Sequence, residues 1–146
     1  MSTIIREMEV SDKEAVMDMM RVFYNSPAVL SNGSEEIFEN DVLSCIDENP
    51  YLEGYVFENE QGIQGYAMLA KSFSTEFGKP CKWVEDIYIK KPYRGTGIGT
   101  KFFRFIEGKY PDSVFRLEVE TENEGAIKAY KKNGYRFIEY SEMIKK

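Results

Sequence analysis

Between Val84 and Thr100 the chain leaves a run of β-branched and aromatic residues, crosses Lys90-Lys91-Pro92-Tyr93-Arg94-Gly95-Thr96-Gly97-Ile98-Gly99, and enters a helical apolar period at Phe102, Phe103, Phe105 and Ile106. An alternating strand at Val114–Val119 and a short helix at Glu124–Lys132, stopped by Asn133-Gly134, follow. A strand, a crossover helix and a second strand in one sheet lie parallel. The second half of the chain therefore restricts the fold to a partly parallel sheet covered by helices.

The remaining elements fit around that unit. Residues 1–10 read as a short strand ending at Ser11-Asp12, with Ser11 and Glu14 as a capping box for a helix carrying Ala15, Val16, Met19, Met20, Val22 and Phe23. A second helix is expected from Ser34 to about Asp47, its acidic first turn suiting the positive helix end. Tyr51–Glu58, Gly65–Ser74 and Lys82–Ile89 read as strands, the first two joined by an Asn59-Glu60-Gln61-Gly62 turn. A last strand is expected around Arg136–Ile144. The expected fold is α/β (α+β) in the order β-α-α-β-β-β-α-β-α-β, and 146 residues suit one domain spanning 1–146.

Composition removes several chemistries. The chain has no histidine, which excludes a Ser–His–Asp triad, a His-ligated zinc and a haem histidine within it. Proton transfer must use carboxylates, Tyr, Lys, Cys or water. Cys45 and Cys81 are too few for a disulfide framework, and no metal is expected. A net charge of −6 argues against nucleic acid as main partner but leaves cationic small molecules open. No apolar run approaches the ~18–20 residues that span a bilayer, and the opening MSTIIREMEV lacks a signal-peptide core. The expectation is a cytoplasmic protein with no membrane partner.

The glycine loop suits a polyanion. Helix-start N–H groups lack intrahelical partners, the helix dipole adds positive potential, and glycines let phosphate oxygens approach the backbone. Two common nucleotide motifs fail on spacing. A P-loop needs Gly-Lys-Ser/Thr, and Lys101 is followed by Phe102. A Gly-x-Gly-x-x-Gly fingerprint meets Thr100 when started at Gly95 and Phe102 when started at Gly97, which disfavours a dinucleotide oxidoreductase. Arg94-x-x-Gly97-x-Gly99 does fit an Arg-x-x-Gly-x-Gly pattern. Downstream stand Leu117-Glu118-Val119 and then Asn123-x-x-Ala126-x-x-x-Tyr130-x-x-x-Gly134-Tyr135. On these two blocks the chain resembles the GNAT N-acetyltransferase superfamily. Trp83-Val84-Glu85-Asp86-Ile87-Tyr88-Ile89 and Ser72–Pro80 are similar to its diamine and polyamine branch, with Glu76 where that branch often has an aromatic.

That resemblance implies a centrally splayed, mixed sheet flanked by helices and acetyl transfer from acetyl-CoA, as co-substrate, to a primary amine. It implies Tyr130 as the acid that protonates the leaving sulfur and Glu85 as the base acting through water, with Asp86 as an amine ligand or a structural acid. It assigns acetyl-CoA to the backbone of Ile87, Tyr88 and Ile89, to Arg94, Gly95, Thr96, Gly97, Ile98, Gly99 and Thr100, and to Asn123 and Ala126, with Asn123 equally suited to a helix N-cap. Glu35, Glu36, Glu39, Asp41, Asp47 and Glu48 around the second helix would attract a cationic amine, or form a solvated acidic face. The expected acceptor is a small cationic amine. A protein or peptide amine, an aminoglycoside, and a non-catalytic acyl-CoA-binding module stand as alternatives. Dimers are frequent in the superfamily, so a homodimer is part of the expectation.

Overall fold

The computed structural model describes residues 2–146, in the order β1 (Ile4–Glu7), α1 (Lys13–Phe23), α2 (Glu35–Ile46), β2 (Leu52–Asn59), β3 (Gly62–Ser74), β4 (Lys79–Ile89), α3 (Ile98–Lys109), β5 (Val114–Leu117) and α4 (Glu124–Lys132). Short 3-10 turns occupy Val10–Asp12 and Lys91–Tyr93. The strands form one sheet in chain order. β1 to β4 pair antiparallel, and β5 joins β4 in parallel, as the strand–helix–strand unit requires. Gly62, at φ 116°, closes the β2–β3 hairpin in a backbone region that side chains disfavour.

Strand alternation divides the core between two faces. Val56, Tyr66 and Met68 meet Val16, Met19, Met20, Phe38 and Val42 of α1 and α2. Their neighbours Tyr55, Phe57, Ala67 and Leu69, with Val84, point the other way onto Ile98, Phe102, Phe103 and Ile106 of α3. Tyr130 and Tyr135 pack against Phe103 at ring-centre distances of 5.9 and 5.2 Å, which seats α4 on the same layer.

Two local expectations are corrected. The capping box before α1 is made by Glu9 and Asp12, not by Ser11 and Glu14. The Asp12 carboxylate accepts from the Glu9 N–H at 2.8 Å while pairing with Arg6 at 2.8 Å, and that ion pair fixes Asp12 in the role. The strand expected at Arg136–Ile144 does not form. Its apolar residues come as adjacent pairs, Phe137-Ile138 and Met143-Ile144, which a period-2 strand cannot place on one face. The segment is tied instead to the β3–β4 hairpin tip, where the Tyr140 hydroxyl donates to Glu76 at 2.6 Å. A cavity of about 1250 Å³ is lined by both this segment and β5.

Candidate active site

β4 has two irregularities at one point. Its pairing with β5 runs from Cys81–Val114 to Val84–Leu117 and stops, while β4 continues to Ile89. On its other side the register with β3 jumps from Leu69–Val84 to Met68–Asp86, leaving Glu85 without a partner residue. Glu85 is therefore the extra residue of a β-bulge, a device that re-aims side chains and often lies beside reactive sites. The bulge also resets the alternation. Val84 and Ile87 both join the α3 face although three residues apart, and Asp86 is turned under α1. The expected splay between β4 and β5 is present, and it opens at Glu85.

Glu85 is open to solvent, whereas Asp86 is only 3% exposed. Each oxygen of the Asp86 carboxylate accepts one phenolic hydrogen bond, from Tyr24 at 2.8 Å and from Tyr66 at 2.8 Å. Burial raises the Asp86 pKa, and the two phenols oppose that rise. Glu85 is also raised, first by protein crowding around its base, then by the charges of Asp86 and Glu142. Asp41 on α2 is pushed up to about 6 by burial and by Asp86 and Glu85.

Of the acidic residues around α2, Asp41 alone among those with a resolved shift is acted on by the β4 carboxylates. Glu35 is paired with Arg21 at 2.6 Å, and Glu39 with Lys13 at 2.6 Å. From the other side, Glu142 of the C-terminal segment approaches Glu118, just past β5. Glu118 rises to about 7 through the neighbouring Glu142 carboxyl, burial and the charge of Glu85. The end of β4 thus gathers carboxylates from α2, β4, the β5 exit and the C-terminal segment.

The glycine loop follows the same strand directly, beyond Ile89. Arg94 donates from Nε to the Ile89 carbonyl at 2.7 Å and lies 5.5 Å from the Tyr88 ring centre, so it fastens the loop to β4. Thr96 Oγ1 donates to the Tyr93 carbonyl at 2.6 Å. Gly95 and Gly97 have φ of 76° and 89°, and Gly97 caps α3. The first helical bond runs from Lys101 to Gly97, so the N–H groups of Ile98, Gly99 and Thr100 precede the helical ladder. Ile87 and Ile89 pack on the α3 layer, while Tyr88 packs near Phe23 and Tyr66. These features fit a phosphate-bearing ligand whose arm could follow the splayed edge of β4.

Tyr130 is half-buried on α4 and lines the large cavity together with Leu117, Glu118 and Glu142. Burial alone raises its pKa. Asn123 Oδ1 accepts from the Ala126 N–H at 3.3 Å, which makes it the N-cap of α4. Asn133 Nδ2 donates to Thr100 Oγ1 at 3.2 Å and so joins the end of α4 to the first turn of α3. No cluster of three potential metal ligands exists among the described residues, and no helix among them is long and apolar enough to cross a membrane. Tyr24, Tyr66, Glu118 and Glu142 were not singled out from the sequence. Their partners lie 62, 20 and 24 residues away (142 − 118 = 24 for the last), beyond any local pattern.

Comparison with known proteins agrees with the fold. Residues 14–135 match the model of the acetyltransferase (GNAT) family. The chain is 32% identical over 154 aligned positions to thialysine N-epsilon-acetyltransferase of Sus scrofa, covering 97% of this chain and 88% of that protein. The Mus musculus protein of the same name gives the same figures. A possible acetyltransferase from Clostridium difficile 630 superposes with a TM-score of 0.81 at 19% identity, covering 99% and 97% of the two chains. AAC(6')-Iy, solved with a CoA-containing bisubstrate analog, superposes with a TM-score of 0.79 at 14% identity, covering 100% and 99%. At those identities the solved structures speak to the fold alone.

Proposed function

Because the chain belongs to the GNAT acetyltransferase family, we propose that it transfers the acetyl group of acetyl-CoA to the primary amine of a small cationic acceptor of the thialysine or polyamine kind. The observation that carries the acceptor class is the gathering of Asp41, Glu85, Asp86, Glu118 and Glu142 at the open end of β4, which favours a cation over a neutral or anionic amine. The similarity to thialysine N-epsilon-acetyltransferases over nearly the whole chain supports the same class.

Acetyl-CoA supplies an acetyl group already activated as a thioester. The protein's residues then have three tasks. The glycine loop and the first turn of α3 hold phosphates on free N–H groups, and the unpaired edge of β4 at Ile87 and Ile89 bonds the arm and offers an N–H to the carbonyl oxygen. Glu85, through a water, takes the proton of an ammonium whose pKa is near 10.4, since the protonated amine has no lone pair for attack. The nitrogen–carbon bond forms, the carbon–sulfur bond breaks, and Tyr130 gives its proton to the sulfur. The second proton, shed by the acylated nitrogen, restores the Tyr130 phenol through water. In this reading Arg94 holds the loop in shape, and Asn123 and Ala126 set the start of α4 beneath Tyr130. We further propose that the protein is a homodimer acting in the cytoplasm.

The donor site is tested by Gly97→Ala. A Cβ there meets no neighbouring atom within 4 Å, so the substitution acts through the φ of 89° alone. A left-handed alanine costs about 1–2 kcal/mol, and relaxing the loop should weaken acetyl-CoA binding by about tenfold. Calorimetric titration with acetyl-CoA measures it. Unchanged affinity would place the phosphates elsewhere, and a preference for NADH or FAD in the wild type would overturn the reading altogether.

A further inference from the structure

Asp86 has no direct task in the mechanism above, and at 3% exposure it is a costly place for a carboxylate. Several groups converge on it. Tyr24 is the C-cap of α1 and Tyr66 lies in the middle of β3, and each phenol donates to a different Asp86 oxygen at 2.8 Å. Two donors on two oxygens are what an ionised carboxylate requires. The arrangement is built into the core. Tyr66 is fully buried, and Tyr24 packs edge-on against Phe23 at 5.2 Å and against Phe38 of α2 at 5.3 Å. The β4 bulge places this fixed carboxylate directly after the unpaired Glu85.

We propose that Asp86 is a positioning residue for proton removal: held as a buried anion by the Tyr24 and Tyr66 phenols, it makes Glu85 a stronger base. A like charge close by disfavours ionised Glu85, so Glu85 holds a proton more firmly and its basicity moves toward the operating pH. The upward shift of Glu85, to which the Asp86 charge contributes after protein crowding, agrees with this arrangement. The other titratable groups around Glu85 are Glu142 of the C-terminal segment, Glu118 after β5, Asp41 of α2 and Tyr24 of α1. The carboxylates among them work in the same direction as Asp86, and Tyr24, an uncharged phenol, adds no opposing charge. The inference rests on Glu85 being the base, and its test keeps the two claims apart.

The experiment is a carboxyl-carbon NMR titration of protein labelled with ¹³C-glutamate, the Glu85 resonance being assigned from its absence in Glu85→Gln. Asp86→Asn should lower the Glu85 midpoint by about one pH unit, as removal of an adjacent like charge requires. Tyr24→Phe removes one of the two donors, leaves the rest of the clamp in place, and should lower it by a smaller amount. In the Asp86→Asn background Tyr24→Phe should have no further effect, because its action runs through the Asp86 charge. A merely structural role would lower thermal stability and leave the Glu85 midpoint in place, and that result overturns the proposal. Should Asp86→Asn fail to fold, Tyr24→Phe alone decides. A wild-type thialysine pH–kcat profile whose acid limb survives in Glu85→Gln would instead remove Glu85 as the base, whatever the titration shows.

Discussion

Replacing Tyr130 by Phe should lower kcat for acetyl transfer by about 100-fold, within the range that a general acid commonly supplies, while acetyl-CoA affinity stays within about twofold. The argument begins with what the substitution keeps. The Tyr130 ring packs on Phe103 at 5.9 Å and on Tyr135 at 6.2 Å, and a phenylalanine ring fills the same place. Only the hydroxyl is lost. Burial raises the Tyr130 pKa above its ordinary value near 10, so at neutral pH the phenol carries the proton that a departing sulfur needs. Steady-state kinetics beside calorimetric binding separates the two quantities. A kcat within twofold of wild type would mean that water or another group protonates the sulfur.

Glu85→Gln should lower kcat by about 100-fold as well, a general base being worth about 10²–10⁴ in rate, and it should also change the shape of the pH profile. As the proposed base Glu85 would work only when ionised, and its pKa is raised by crowding and by the Asp86 and Glu142 charges. Activity in the wild type is therefore lost as pH falls through a value above the ordinary glutamate range, near 4.3. In Glu85→Gln that acid limb should vanish, leaving a low and flatter rate. The two variants differ in a further respect. Tyr130→Phe lowers the plateau and keeps the acid limb, whereas Glu85→Gln removes both.

How much of this was legible in the sequence depended on whether the information was local. The α4 bounds, the start of α2 at about Ser34, the Asn59–Gly62 hairpin and the glycine loop are written in neighbouring residues, and the structure has them where the spacing puts them. The parallel pairing of β4 with β5 followed from the strand–helix–strand unit. The bulge at Glu85 did not, because a bulge is a mismatch between two strands and cannot be read from one of them. Simple alternation separates Glu85 from Asp86, yet only the register jump sends Asp86 beneath α1, where Tyr24 and Tyr66 reach it. The C-terminal segment shows the opposite failure. Its apolar content suggests a strand, but paired apolar neighbours and the Tyr140–Glu76 bond hold it apart from the open edge of β5. Among the acids around α2, charge alone did not distinguish Asp41 from Glu35 and Glu39; their Arg21 and Lys13 partners did.

The missing histidines matter more in the light of the site. The proposed pair, a carboxylate base among like charges and a half-buried phenol acid, needs no imidazole, and the acidity that makes nucleic acid a poor partner gathers where the proposed cationic acceptor would enter. Central to the account is acetyl transfer to such an acceptor. Its most direct measurement is the release of free CoA thiol from acetyl-CoA in the presence of thialysine, spermidine, an aminoglycoside and a lysine peptide, with the acetylated amine identified by mass spectrometry. The account predicts thiol release that depends on thialysine or spermidine and exceeds that with the peptide and the aminoglycoside. Thiol release with the peptide or the aminoglycoside alone, or none with any amine while acetyl-CoA binds, would contradict it.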